Sequence, residues 1–234
     1  MDAKGLRAGG RGGRSGGVAG EVWLRAEKPR RDTLTRDRIT VAAIELLDAH
    51  GTAHLTMRKL AERLEVAPPT LYWHVKTKDD VLDLAVDAVF SEVEIPSRTD
   101  DWAQDARTLV LRWRATMLCH PWSPALIGRP MLGPNVLART EFLQSTLARG
   151  GRTGPSLAAA THGLANLTIG AALTESTWHG QLPRSSAHEL IQANADRYPT
   201  LAANHHLDAP DQDALFDQAV RTFLAGLGQD ISRC

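Results

Sequence analysis

The stretch that decides the fold is Leu55-Thr56-Met57-Arg58-Lys59-Leu60-Ala61-Glu62-Arg63-Leu64-Glu65-Val66-Ala67-Pro68-Pro69-Thr70-Leu71-Tyr72-Trp73-His74-Val75-Lys76. Thr56 is a helix-capping residue standing just before an apolar pattern at Leu60, Ala61 and Leu64, so a short helix begins after it. Glu65-Val66-Ala67 is a link long enough only for a turn. Pro68 and Pro69 have no N–H and a fixed φ, so they are tolerated only where a helix starts. The spacing therefore predicts a second short helix from Pro68 to about His74. Two short helices with such a link have the dimensions of a helix-turn-helix. Leu60, Ala61, Leu64 and Val66 are expected to bury the joint, with the small Ala61 where the helices touch. Thr70, Tyr72, Trp73 and His74 then follow one another within a turn and a half. Three aromatic or heteroaromatic side chains in succession cannot all face one core, so at least one must face solvent or a partner. Their hydroxyls and imidazole can bond phosphate oxygens or base edges, and the Thr70 methyl can meet a thymine methyl.

The pattern extends in both directions. Thr35 caps an earlier helix whose buried stripe is Ile39, Ala43, Leu46 and Leu47, and Gly51 ends it. Downstream, Thr77 and Asp80 form a capping box of the Thr-x-x-Asp type. The fourth helix that it opens carries Val81, Leu82, Ala85, Val89, Phe90 and Val93, and Pro96 closes it. Residues 56–78 hold Arg58, Lys59, Arg63, Lys76 and Lys78 against Glu62 and Glu65. Residues 79–94 hold six acidic residues and no Lys or Arg. A basic tip backed by an acidic helix is expected to orient this unit on a duplex.

The remaining chain reads as further helices punctuated by proline and glycine. Asp100 or Asp101 starts one with Trp102, Ala106, Leu109, Trp113 and Met117, which Pro121 breaks. Ser123-Pro124 opens a short one, and another runs from Pro134 to Gly150-Gly151. Pro155 opens a long helix to about Trp178, rich in small residues that let helix axes approach closely. A helix near 186–198 is expected to end at Pro199. The last, about 210–228, has Leu215, Ala219, Phe223 and Leu227 at spacings of four, widened by Val220 and Leu224. No strand pattern and no repeat occurs, so the predicted fold class is all-α.

Composition narrows the function classes. The 27 basic and 27 acidic residues cancel, which excludes a polycation that coats nucleic acid along its whole length. Two cysteines, Cys119 and Cys234, are too few for a disulfide scaffold or a four-thiolate zinc site, and a reducing cytoplasm is the expected compartment. No apolar run approaches the roughly 20 residues that span a bilayer, so no membrane partner is expected. Cys119 and His120 are neighbours on a helix and point about 100° apart, so they do not face each other. His205-His206 has no third ligand at metal spacing. Catalytic residues, metal ligands and a cofactor are therefore not expected, and the chain is not read as an enzyme. Residues 1–31 are glycine-rich and basic, with eight Lys or Arg against Asp2, Glu21 and Glu27, and read as a flexible arm.

The 55–76 run, and within it Thr70-Leu71-Tyr72-Trp73-His74-Val75-Lys76, resembles the DNA-binding domain of the tetracycline repressor (TetR) family. The likeness is strong over about 35–94 and weaker beyond, carried there by Trp102, Gly128-Arg129-Pro130 and Thr168-Ile169-Gly170. It implies a three-helix helix-turn-helix domain at 32–94 with its connecting helix. It also implies a helical effector-binding and dimerisation domain at 95–234. The expected function is a ligand-responsive regulator, a repressor, that binds a palindromic double-stranded DNA operator as a homodimer. A small organic effector in the C-terminal domain would release it. By the same resemblance Arg58, Pro69, Thr70, Tyr72, Trp73, His74 and Lys78 match positions that contact DNA, and the two late apolar helices match the dimerising pair.

The effector side is drawn from aromatic and polar residues of the second half. Trp113, Met117, His120, Trp122, Arg129, Phe142, Asn166, Glu175 and Trp178 are the candidate lining of a mostly aromatic cavity with a few polar anchors. The family's name-giving member holds a magnesium–tetracycline chelate near a Gly-Thr-Arg-Pro segment. The corresponding Ala125-Leu126-Ile127-Gly128-Arg129-Pro130 has no imidazole, so a magnesium-chelated drug is not expected. Arg129 is expected either to pair an anionic effector or to serve as the hinge between pocket and DNA domain. Two other readings stay open, a DNA binder without sequence preference and a relative that senses a protein partner instead of a small molecule.

Overall fold

The computed structural model describes residues 34–127, 131–178, 184–204 and 211–230. The basic arm, Arg129 and the His205-His206 pair lie outside them. Among the described residues the chain is entirely helical, without strands. The helices are α1 (Arg36–His50), α2 (Met57–Arg63), α3 (Pro68–Leu71), α4 (Lys78–Ser91) and α5 (Trp102–Cys119). After a 3₁₀ turn at Pro124–Leu126 come α6 (Pro134–Arg149), α7 (Gly154–Trp178), α8 (Arg184–Ala193), α9 (Pro199–Ala203) and α10 (Gln212–Asp230). None among the described residues is long and apolar enough to cross a membrane.

Side-chain capping sets the starts of α1, α2 and α4, and paired prolines that of α3. Thr35 accepts from the Arg38 N–H at 3.2 Å, Thr56 from Lys59 at 3.2 Å, and Thr77 from Asp80 at 3.0 Å. Each satisfies one amide that a helix start leaves bare. Asp80 returns the contact by taking the Lys76 N–H at 2.8 Å. The α2–α3 link is a Schellman closure: Val66 N–H donates to the Ala61 carbonyl at 3.0 Å and Glu65 N–H to Glu62 at 3.2 Å. That closure requires a left-handed residue, and Glu65 supplies it with φ 56° where glycine is the usual occupant.

Three details depart from the sequence reading. α3 ends at Leu71 rather than His74, because the chain tightens into i+3 bonds from Trp73 to Thr70 and from His74 to Leu71. Pro199 does not end a helix at 198. α8 stops at Ala193, and Pro199 instead begins α9, the position where a missing N–H costs nothing. In α10 the buried stripe is Phe216, Val220 and Leu224, while Leu215 is 51% exposed. The predicted line lies one residue, about 100°, from the buried one, so Ala219, Phe223 and Leu227 flank the core half-buried and Leu215 faces outward.

Two cores result. The first is built from α1–α4 and is completed by Trp122 and Val136 from beyond residue 95. The second joins α5, α6, α7 and α10 around Leu109, Val110, Phe142, Leu164 and Val220. α5 packs on α4, α6, α7 and α10 and so spans the body. Gly163 of α7 lets α10 approach, since a Cβ there would lie 2.5 Å from the Phe223 ring.

α4 and α6 cap one another. Gly133 and Pro134 at the start of α6 offer no side-chain cap, and the first free amides, Asn135 and Val136, both donate to Asp87 Oδ1 at 3.0 Å. Asn135 Nδ2 donates to Asp87 Oδ2 at 2.8 Å. Only glycine fits at 133, because a Cβ there would lie 2.1 Å from Asp87 Oδ1. In return Arg139 of α6 donates to the Ser91 and Val93 carbonyls at the end of α4, each at 2.9 Å. Three acids of this helix, Asp80, Asp83 and Asp87, are buried.

Two outcomes are expected. Asp87→Ala strips buried amides of their acceptor and should cost about 2–3 kcal/mol in urea unfolding; a loss below about 0.5 kcal/mol would show that the cap contributes little. Glu65→Gly relieves the left-handed backbone and should add up to about 1 kcal/mol, whereas Glu65→Val should destabilise. A lower melting temperature for the glycine variant contradicts this account of the turn.

Candidate nucleic-acid interface and effector region

The recognition end is shaped by two anchors. Leu71 and Val75 are both 0% exposed and hold the α3 segment to the first core. Tyr72 and Trp73 between them have to project outward. Tyr72 is 50% and Trp73 70% exposed, Pro69 is exposed, and Thr70 and His74 are half-buried. His74 Nε2 is buried without a hydrogen-bond partner. Lys78, at the start of α4, donates to the Thr52 carbonyl at 2.7 Å, which ties the α1–α2 loop to the same end.

Charge at this end is more divided than the sequence count implies. Arg58 pairs with Glu62 at 2.9 Å, and Arg63 turns away to Glu45 of α1 at 2.6 Å. Both pairs are exposed, where such contacts are screened and weak. Arg58 can exchange Glu62 for a phosphate at little cost, as can Lys59 and Lys76, which are exposed on the same unit. The surface therefore offers hydroxyl, indole, imidazole and cationic groups over one protruding edge, the mixture that reads base edges and phosphates.

The candidate effector residues divide into separate groups. Trp113 sits where the two cores meet, its ring 5.3 Å from that of Phe90, and its indole N–H is buried without a partner. Met117 is fully buried on the same helix, and Phe142 is buried in the second core under the Arg98 guanidinium. Glu175 is ion-paired with Arg114. His120 and Trp122 stand apart, at the junction with α1, both bonded to Asp48. Asn166 lies exposed on the outer side of α7. The Trp178 side chain and all of Arg129 lie outside the described residues.

Arg114 is the group that sequence reasoning missed. Its side chain is only 4% exposed, paired with Glu175 and Asp213, and stacked 5.1 Å from the Phe216 ring centroid. Its Nε remains unpartnered. The signal was present: Ala106, Val110, Arg114 and Met117 recur at helical spacing, so this charge falls on a buried stripe. About two turns away, Arg107 pairs with Asp217 of α10. The hydrogen bond from Arg107 is the main reason that the Asp217 pKa falls to about 2. Arginines of α5 thus fasten α7 and α10, and one unpartnered N–H on each of Trp113 and Arg114 remains for a hydrogen-bond acceptor.

Comparison with known proteins agrees with this geometry. The model of the bacterial regulatory proteins of the tetR family matches residues 39–85, and that of the tetracyclin repressor-like C-terminal domain matches residues 95–231. An HTH-type transcriptional regulator of Saccharopolyspora erythraea is 44% identical over 220 residues, covering 91% of this chain and 93% of the relative. The HTH-type transcriptional repressor DrrR1 of Streptomyces coeruleorubidus is 29% identical over 228 residues, covering 88% and 83%. Among solved structures, ActR of Streptomyces coelicolor in complex with (S)-DNPA superposes with a TM-score of 0.75 at 31% identity, covering 85% of this chain and 99% of ActR. With both of its halves matched, and a helix-turn-helix built as described, the chain belongs to the TetR family of transcriptional regulators.

Proposed function

We propose that this regulator is a repressor that binds a palindromic operator as a homodimer and leaves it when a small organic molecule enters the C-terminal domain. The observation that carries the reading is the recognition edge, where Leu71 and Val75 are fully buried and Tyr72 and Trp73 project between them. On this reading Arg58, Pro69, Thr70, Tyr72, Trp73, His74 and Lys78 contact DNA. The first five and His74 follow the groove, and Lys78 meets the backbone. Its site of action is the cytoplasm.

The dimer reading draws on α7 and α10. Their outward faces carry Ala159, Asn166, Gly170 and Leu173 on one helix and Leu215, Thr222 and Gly226 on the other. A helical glycine costs roughly 1 kcal/mol relative to alanine, yet Gly170 and Gly226 have nothing within 4 Å of a built Cβ. A self-complementary second copy gives both a reason, because small residues let helices close across a two-fold axis. Half-sites then recur at about 34–36 Å or a multiple, the helical repeat of the duplex.

For the effector, the likeness to ActR, solved with an organic ligand, supports a small molecule rather than a protein partner. The proposed lining is Trp113, Met117, Phe142 and Glu175 at the heart of the domain, and Arg129 and Trp178 join the proposal from the sequence alone. The unpartnered Trp113 N–H and Arg114 Nε favour an aromatic compound bearing oxygen acceptors. A ligand that binds better when the two recognition edges are wrongly spaced lowers operator affinity by that difference alone.

The deciding experiment selects bound duplexes from a random pool at two salt concentrations. An enriched palindrome with turn-spaced half-sites is expected; binding without enrichment that fades uniformly with salt would reject the reading. On the selected operator, Tyr72→Ala and His74→Ala should each weaken binding by about 1–3 kcal/mol. Unchanged affinity in both removes the recognition assignment. Lys78→Ala should weaken operator and random DNA alike and lower the salt slope by about one. A loss confined to the operator would instead place Lys78 at a base.

A further inference from the structure

Four side chains from three distant stretches meet where α1 abuts the end of α5. His120, which ends α5, sets Nδ1 2.8 Å from Asp48 Oδ1 and Nε2 3.2 Å from Glu92 Oε2. Trp122 Nε1 donates to the same Asp48 oxygen at 2.6 Å, and its ring lies edge-on to the imidazole. Asp48 belongs to α1, and Glu92 follows α4 directly. His120 and Trp122 are buried. Two residues of the effector-binding half thus grip both long helices of the recognition unit.

Imidazole chemistry makes this contact conditional. A neutral ring has one N–H and one lone pair, whereas an imidazolium donates from both nitrogens. Here a carboxylate faces each nitrogen. Both contacts are favourable only for the charged ring, and losing the proton turns one lone pair on a carboxylate. The charged groups facing the ring are Asp48 from α1 and Glu92 from α4, and Trp122 is uncharged. Burial by itself pushes the His120 pKa down, but hydrogen bonds and charge from Asp48 and then Glu92 outweigh it and raise the value above 6.5.

We propose that Asp48, His120, Trp122 and Glu92 form a proton-held latch that fixes the recognition unit against the C-terminal body, so that operator affinity falls when His120 loses its charge. His120 is then a positioning residue for DNA binding, distinct from the effector-lining role that its sequence context suggests. The sign follows from the raised value. The latch is fully held below about 6.5, the ordinary histidine range, and is lost as pH rises through the higher folded value. The proposal rests on the operator-binding reading, and its test separates the two.

The test uses the full-length chain on its selected operator, with affinity measured from pH 6 to 9 at fixed ionic strength, together with NMR titration of the histidine rings. Wild-type affinity should fall roughly five- to tenfold across the range, the usual size of coupling between two sites. His120→Gln should be flat at the weak level. Glu92→Gln, at a half-exposed position that tolerates change, should keep the fold and move the midpoint down. His74→Gln should bind more weakly throughout yet keep the fall. A wild-type profile in His120→Gln, or loss of the fall in His74→Gln alone, overturns the latch. Should His120→Gln not fold, an unmoved midpoint in Glu92→Gln overturns it instead. Failure to bind any duplex at any pH rejects the operator reading, and the ring titration still judges the latch. A His120 midpoint raised in the wild type and lowered by Glu92→Gln supports it, and a midpoint at or below 6.5 overturns it.

Discussion

The carboxylate of Asp87 holds the two halves of this regulator in register. A helix start presents bare amides and a positive partial charge, and it needs an acceptor wherever it is buried. α6 brings none of its own, since Gly133 has no side chain and Pro134 no N–H. The acceptor comes from α4, a helix that also carries the recognition unit. Arg139 answers from α6 by taking the carbonyls that end α4. Neither helix can shift along the other without baring polar groups away from water, which costs far more than a surface contact. These contacts fix the register of α4 against α6. The close fit of Gly133 against the carboxylate leaves little slack for the two to separate.

The C-terminal body is organised around charge placed inside it. Arg107 and Arg114 lie on the inner surface of α5 and reach acids on α7 and α10. The Arg107–Asp217 and Arg114–Glu175 pairs, largely withdrawn from water, add little net stability, because desolvation offsets most of the attraction, but breaking one is costly. They therefore select one arrangement of the three helices over its neighbours. The same helix carries Trp113 between the two cores and ends at His120, whose ring touches α1 and the end of α4. Events in the body and the posture of the recognition unit share one rigid element.

At the recognition edge the physics is simpler. Leu71 and Val75 are four residues apart and both enter the core, so Tyr72 and Trp73 are forced outward whatever their polarity, while His74, one turn after Leu71, stays half-buried. Exposed tyrosine and tryptophan then remain as stiff, amphipathic contact groups that lose little entropy on binding. The tight closure at Glu65 sets the angle between α2 and this edge, at the expense of a left-handed glutamate.

Local signals are legible in the sequence. Thr35, Thr56, Thr77 and Asp101 announce helix starts, because a capping side chain acts within three residues of itself. The paired prolines and the Tyr72-Trp73-His74 run identify the helix-turn-helix for the same reason, and the all-helical class follows from periodicity. Interactions between distant residues were not legible. Nothing in the order of residues links Asp87 to Asn135 or Asp48 to His120, and nothing there marks Asp80, Asp83 and Asp87 of α4 as buried. Arg114 lay on a readable stripe, but its partners Glu175 and Asp213 are 61 and 99 residues away. His120 was grouped with aromatic pocket residues by proximity in the chain, and the fold instead sets it against α1 and α4. Caps and turns depend on neighbours in sequence, whereas the coupling between the two halves depends on which buried polar groups find each other once the helices have packed.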